Sequence, residues 1–305
     1  MAGGIITTGS HPKALWPGVH AWWGRDYNDH PKEWPELMDE ESSDMNYEEE
    51  VKITSFGLAP VKAQGAGIMY DSEMQGQVTR YTHLTYGLGY IVTMEELMDN
   101  LYEKVSKTRA TALARSHRIT EEIVCADVYN NAFDTAFPGS DGVPLLSASH
   151  PNVTGGVYSN LMSSAADLSE TALEDLIIQM GGATDDRGLQ IAVMAQRLVV
   201  HRANWFNANR ILESVFQNDT PNNAVNVLKA LNSIPKGVCQ NHYLDAPNAW
   251  FIRTDVPHGL RRFTRMKANL EQDNDFDTKN AKASAVQRFS VGWSDPLGLY
   301  GSEGP

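Results

Sequence analysis

The chain has 305 residues, 42% apolar and 21% charged, with 25 bases and 38 acids for a net charge of −13. That length buries a sizeable core in one large domain or two modest ones, and that composition excludes a disordered chain. No run reaches the roughly 18 apolar residues of a membrane span, no signal-peptide pattern opens the sequence, and the acidic balance gives no general reason to grip a phosphate backbone. Two cysteines, Cys125 and Cys239, suffice for neither a disulfide framework nor a four-thiolate zinc site, so a soluble chain folded in a reducing compartment is expected.

Residues 1–50 hold eleven acids against Lys13, Arg25 and Lys32, and Glu36, Asp39, Glu40, Glu41, Asp44, Glu48, Glu49 and Glu50 follow one another without a base. Pro12, Pro17, Pro31 and Pro35 break any long helix, and Trp16, Trp22, Trp23 and Trp34 lie among them with no period. A disordered acidic tail is poor in aromatics, so these rings predict an extended arm buried against another surface. From residue 51 to 92 the pattern is β. Leu84, Tyr86, Leu88, Tyr90 and Val92 alternate as in a half-buried strand, and Lys62–Tyr70 and Gln77–Tyr86 flank the turn-rich stretch from Asp71 to Gly76. This predicts a long two-stranded ribbon, marginal alone in water and in need of a surface to lie on.

Thr93-Met94-Glu95-Glu96 reads as a capping box opening a long helix to about Phe133, with Leu97, Leu101, Val105, Ile119, Ile123 and Ala126 as its stripe and a Glu103–Lys107 pair on it. Pro138-Gly139 stops it, and an irregular stretch follows to Asp167. Ser169-Glu170 starts a second helix with Leu173, Leu176, Ile177 and Met180 on one face and Gly181-Gly182 at its end. Arg197–His201, Gly237–His242 and Trp250–Arg253 read as strands, and Asn204–Phe216 as a helix with Trp205, Ala208, Leu212 and Val215 inward. From Leu260 onward, Phe276, Phe289, Val291 and Trp293 suit returning strands. The fold class is α+β.

Motifs for chemistry are absent. Gly65-Ala66-Gly67 and Gly87-Leu88-Gly89 do not complete a dinucleotide fingerprint, and there is no Walker loop, zinc-protease helix or nucleophile elbow. Asp273, Asp275 and Asp277 imitate a calcium loop, but its sixth and twelfth positions hold Thr278 and Ser284, so an acidic turn is the simpler reading. The histidines never fall at metal-ligand spacing, and Cys125 reads as a small buried residue. No catalytic, cofactor-binding or metal-binding residue is assigned, and no cofactor is expected. An arm and a ribbon that lack their own supports suggest that the missing surfaces belong to other copies of the chain.

Ordered segments then carry a resemblance. Gly142-Val143-Pro144-Leu145-Leu146-Ser147-Ala148-Ser149-His150-Pro151, Ser159-Asn160-Leu161 and Ala166 to Leu173 resemble the middle of tailed-bacteriophage major capsid proteins of the Mu-like head-subunit group. Tyr81-Thr82, Leu88-Gly89-Tyr90, Asp185-Asp186-Arg187-Gly188, Asn222 to Val227, Ala249-Trp250-Phe251, Asp275 to Thr278, Arg288, Gly292-Trp293 and Tyr300-Gly301-Ser302 agree in order, from about residue 50 onward; the first 50 residues find no match. The resemblance implies a shell fold shared with encapsulins and herpesvirus capsid floors. It comprises an N-terminal arm (1–50), an extended β-ribbon or E-loop (51–93), a peripheral domain with a spine helix (94–160), an axial domain (161–260) and a return to the peripheral domain (261–305).

It further implies a non-enzymatic head subunit that forms hexamers and pentamers of an icosahedral shell around packaged DNA, without sequence-specific or membrane binding. Assembly in the host bacterial cytoplasm, localisation in the virion capsid, a portal protein and a separate scaffolding protein go with it; a cement or decoration protein is left open. An encapsulin-type compartment and, from another class, a hydrolase or binding module are the alternatives. Lys62 is the one lysine of the ribbon beyond its base, where Lys52 sits, and no covalent cross-linking between copies is expected. The acidic stretch either faces solvent or crosses onto a neighbouring copy to pair with Arg261, Arg262, Arg265 and Lys267, the densest basic cluster.

Overall fold

A computed structural model describes residues 23–25, 27–28, 31–98, 102–216, 224–275, 277–278 and 280–305. Trp16, Trp22, Leu101, Asn222, Asn223 and Phe276, and the side chains of Leu97, Glu103, Val105 and Lys107, lie outside what is described. A short helix α1 (Trp34–Leu37) leads into β1 (Asp39–Ser42), β2 (Tyr47–Ile53), β3 (Gln75–Thr82) and β4 (Leu84–Val92). Helices α2 (Met94–Met98) and α3 (Tyr102–Asn130) come next, then the small hairpin β5 (His150–Pro151) and β6 (Val157–Tyr158). Helix α4 (Glu170–Gly181), β7 (Ala195–His201), α5 (Trp205–Glu213), α6 (Val227–Ala230), β8 (Val238–Asn241) and β9 (Trp250–Thr254) follow; β10 (Leu260–Asn274), β11 (Ala281–Trp293) and β12 (Leu299–Ser302) close the chain. None of the described helices is long and apolar enough to cross a membrane.

Two four-stranded sheets organise the fold, in the orders β1-β10-β11-β4 and β12-β9-β7-β8. The first is built on the β10–β11 hairpin. On β11, Ala281, Ala283 and Ala285 are buried while Lys282 and Ser284 face outward. Those small side chains meet Ala110, Leu113 and Ala114 of α3, so the helix lies close to the sheet. The second sheet is covered on both faces. Leu198, Val200, Trp250 and Ile252 pack on Leu173, Leu176, Met180, Ala208 and Leu212 of α4 and α5. Val199 and Phe251, on the opposite face, pack with Cys125, Ala126 and Tyr129 near the end of α3. Burial on both faces explains the consecutive apolar residues Leu198-Val199-Val200 of β7.

The approach to the C-terminal strand is held by a buried polar network. Asn160 is fully buried, and its Nδ2 donates to the carbonyls of Leu145 (2.7 Å), Pro296 (2.9 Å) and Leu299 (3.1 Å). That fixes the amide's orientation, so Oδ1 accepts from Ser147 N at 2.9 Å and faces His150 Nε2 at 3.0 Å. His150 Nδ1 lies 2.6 Å from Asp141 Oδ2. One side chain thus ties the 145–147 segment to the C-terminal strand.

Several expectations change. The ribbon pairs β3 with β2, which begins inside the acidic stretch, and not with Lys62–Tyr70, which has no strand structure. Acidic Glu48-Glu49-Glu50 is tolerated there because the strand pattern leaves its carboxylates accessible to partners. The long helical region is described over α2 and α3, and residues 99–101 between them lie outside the described residues. Only half of the capping box forms: Glu96 N donates to Thr93 Oγ1 at 3.4 Å, but the Glu96 carboxylate pairs with Arg109 at 3.0 Å. Ile123 is exposed; the buried stripe of α3 runs through Ala110, Leu113, Ala114, His117, Arg118, Glu121, Glu122, Cys125, Ala126 and Tyr129. Helix α5 stops at Glu213, where Ser214 turns extended, leaving Val215 exposed. The end of the chain does not stay with the long hairpin, because β12 pairs with β9.

Asn160→Ala would remove a buried partner from the Leu145 and Leu299 carbonyls and the Ser147 amide, while Pro296 O keeps the Leu299 N–H; each group left unsatisfied costs about 1–3 kcal/mol. A loss of more than about 3 kcal/mol in denaturant unfolding is expected; a loss comparable to a surface substitution would show that this joint carries no stability.

Candidate assembly interface

The acidic stretch finds its bases within its own chain. Strand β1 lies parallel to the start of β10, with Asp39, Glu40, Glu41 and Ser42 opposite Arg261, Arg262, Phe263 and Thr264. Glu40 pairs with Arg262 at 3.4 Å, Glu41 with Arg261 at 3.2 Å and Asp44 with Arg265 at 3.3 Å. Glu50 also pairs with Arg261, Glu36 with Arg197, Asp39 with Arg253 at 2.5 Å and Glu49 with Arg80 at 2.6 Å. Glu48 accepts from Ser43 Oγ at 2.5 Å. The expected partners are therefore right for Arg261, Arg262 and Arg265, but the contact is made within the chain rather than across to a neighbour. Lys267 takes no part in it. A parallel register sets the two charge runs side by side, which satisfies the carboxylates without a second copy.

Beneath these exposed pairs lies a buried set. Arg118, Glu121, Glu122 and Arg262 are each at most 4% exposed. Glu121 accepts from Arg118 Nη1 at 2.6 Å on one oxygen, and from Tyr27 Oη at 2.7 Å and Arg262 Nη2 at 3.1 Å on the other. Arg118 Nη2 donates to the Tyr27 carbonyl at 2.9 Å while its guanidinium stacks over the Tyr27 ring. The Arg262 guanidinium lies 4.1 Å from the Trp34 ring centroid and 4.7 Å from that of Phe289. Glu122 accepts the backbone N–H groups of Glu33 (3.1 Å) and Trp34 (2.8 Å) at the start of α1. Burial pushes its carboxyl up to about 7, against the pull of those two amides. The two described tryptophans of the arm are buried as expected, Trp34 at 2% and Trp23 at 7% exposure.

The ribbon is attached at its root by polar contacts. Ser294 Oγ donates to Glu50, Lys52 pairs with Asp186 at 3.2 Å, and Ser55 donates to Asp185. The amides of Gly57 and Ser72, and after them Arg187 paired at 2.8 Å, hold the Asp71 carboxyl down. Past the root, Thr54 N donates to Met74 O at 3.0 Å, and the chain between them forms a projecting loop. Its apolar residues are uncovered: Phe56, Leu58, Val61, Ile68, Met69 and Tyr70 are all more than half exposed. Leu84, Leu88 and Ile91 of β4 are also exposed, although the alternation predicted half-burial for Leu84 and Leu88. Apolar patches of this kind on a water-facing surface mark contact with another macromolecule.

The remaining sequence candidates sit elsewhere. The Asp275 carboxylate, in the β10–β11 turn, takes Lys282 Nζ at 2.7 Å. Cys125 and Cys239 are free and buried, and burial pushes both thiols up, away from the reactive form. Sequence reading missed Arg118, Glu121 and Glu122, because charged residues on a helix are taken for its solvated face. Their spacing with Ala114 and Cys125 was the available signal.

Two outcomes test the buried set. Arg262→Met leaves Glu121 short of one cation in a low-dielectric site, and a loss of about 3–5 kcal/mol is expected in denaturant unfolding. For Glu122, the folded value lies above the ordinary 4.5. The associated stabilisation is therefore complete below pH 4.5 and is lost as pH rises through about 7. Melting temperatures across this range should fall more steeply for the parent than for Glu122→Gln; parallel curves would contradict the assignment.

Comparison with known proteins follows from this geometry. The family model described as phage capsid protein matches residues 76–302. No curated protein matches the chain. Among solved structures, a virus-like particle from Pyrococcus furiosus is similar with a TM-score of 0.54 at 12% identity, covering 94% of this chain and 98% of that one. Mycobacterium phage Patience gives 0.54 at 12% identity, covering 97% and 88%. The procapsid of bacteriophage JBD30 gives 0.52 at 14% identity, covering 97% and 76%. The α+β fold is that of tailed-phage capsid subunits, and the chain belongs to the phage capsid protein family as a structural subunit of the virion capsid, not an enzyme.

Proposed function

We propose that this subunit is the major head protein of a tailed phage, forming hexamers and pentamers that tile an icosahedral shell around packaged double-stranded DNA. The observation that carries the reading is the projecting loop between Thr54 and Met74, whose exposed apolar residues have nothing to cover them in a single copy. In the proposed division, residues 1–50 are the arm, 51–93 the E-loop, 94–160 and 261–305 the peripheral domain and 161–260 the axial domain. Assembly takes place in the host cytoplasm on a separate scaffolding protein, with a portal at one vertex and room for a decoration protein. The subunit's work is mechanical. Arm, ribbon and sheets transmit the outward pressure of the contents to neighbouring copies, and the acidic chain leaves the DNA enclosed rather than bound.

The test is assembly itself. The purified chain should form capsomers, shells or sheets in electron micrographs, burying on the order of 2,000 Å² or more per contact set. Replacing residues 56–70 with a Gly-Ser linker should leave the circular-dichroism spectrum intact while abolishing particles. A parent chain that stays monomeric at high concentration would overturn the reading, and particles filled with protein cargo instead of DNA would turn it to an encapsulin-type compartment.

A further inference from the structure

At the root of the ribbon the molecule has an open cleft of about 720 Å³, walled by Val51, Ile53, Val256 and Leu297 and by five carboxylates. Three of these are already matched within the chain: Glu50 by Arg261, Asp186 by Lys52, and Asp185 by Ser55 and by the amides of Arg187 and Leu189. The other two are not. Asp255 accepts only the N–H of Met194, at 2.8 Å, and Asp295 only that of Leu297, at 3.0 Å; neither meets a cation among the described residues closely enough to pair. A further acceptor in the lining, Asn152 Oδ1, is buried without a hydrogen bond. The buried hydroxyl of Tyr158, also in the lining, has no partner either. Apolar walls with surplus negative charge and unfilled acceptors suit a guest with an aliphatic stem and a cationic head.

The projecting loop carries one such group. Between Phe56 and Tyr70 the sole ionisable residue is Lys62. A tight turn, closed by Ala66 N on Ala63 O at 3.1 Å with Gly65 at φ +82°, sets Val61 and Lys62 next to its apex. Val61 is 100% exposed and Lys62 makes no ion pair among the described residues, so within its own chain this apex stays out of the cleft.

We propose that the Val61–Lys62 apex of one copy enters the cleft at the ribbon root of a second copy, its ammonium group meeting Asp255 and Asp295. This deepens the capsid reading and rests on it, for it names the partner of the uncovered loop and the surface that receives it. Tip and root are different patches of the same molecule. The contact is therefore heterologous, and repeating it around a closed ring occupies every tip and every cleft at once.

The test uses the full chain with Lys62→Cys and Asp255→Cys together. Cys125 and Cys239 are buried and do not interfere. Oxidised particles of the double variant should give a reducible ladder of dimers and higher species on denaturing gels, absent from either single variant. A monomer band alone, whether from an internal disulfide or none, overturns the proposal. In a second arm, Lys62→Glu should reduce closed particles about tenfold through loss of a contact repeated at each subunit, and Asp255→Lys in the same chain should restore them. Undiminished assembly of Lys62→Glu, or no rescue, overturns it too. A parent chain that never assembles would overturn the capsid-assembly reading and this contact with it, whereas an assembling parent with an unlinked double variant overturns the contact alone.

Discussion

The docking of the segment before α1 depends on one constraint: charged side chains taken out of water must find partners where they lie. Arg118 and Arg262 both pair with Glu121, Tyr27 donates to the same carboxylate, and Glu122 accepts the amides of Glu33 and Trp34. A buried ion pair of this kind contributes little net stability compared with apolar residues of the same shape, but it fixes geometry, because each misplacement leaves a charge unpaired. Helix α3, strand β10 and the segment before α1 meet at this set, beside the parallel register of β1 and the pairing of the acidic run.

The outer pairs are of a different kind. Asp44 is fully exposed and Arg265 partly so, and such pairs contribute about 0.2–1 kcal/mol each. They neutralise a run of carboxylates that would otherwise repel each other, and they do so without using any apolar surface. The exposed apolar side chains of the loop and of β4 are thereby left for contact with other copies. The subunit is polar where it closes on itself and apolar where it opens outward.

Much of the fold was legible in the residues. The second helix, the strands at Leu84–Val92 and Trp250, and the buried tryptophans of the arm follow from period and composition. The partner strand of the ribbon was not, because Lys62–Tyr70 has the composition of a strand while Tyr47–Ile53 carries three consecutive glutamates. Propensity was overridden there by charge partners: Arg80 across the ribbon and Arg261 at its root. The stripe of α3 was misread for the same reason, since a helix face with Arg118, Glu121 and Glu122 looks solvated until its partners arrive from distant sequence. The capsid identity rested on ordered short motifs, one of which, Ser159-Asn160-Leu161, contains the amide that ties the 145–147 segment to the C-terminal strand.

The separation of those partners along the chain has a kinetic meaning. Tyr27 lies 91 residues from Arg118, and Glu40 lies 222 from Arg262. The acidic run therefore lacks its last counter-charges, Arg261, Arg262 and Arg265, until strand β10 has been made, and loop closure over such distances is slow. Until then the arm's tryptophans and carboxylates are open to whatever else is nearby. For a protein made in many copies at once, the arm's docking marks the moment when a chain stops being a hazard to its neighbours and becomes a part that fits them.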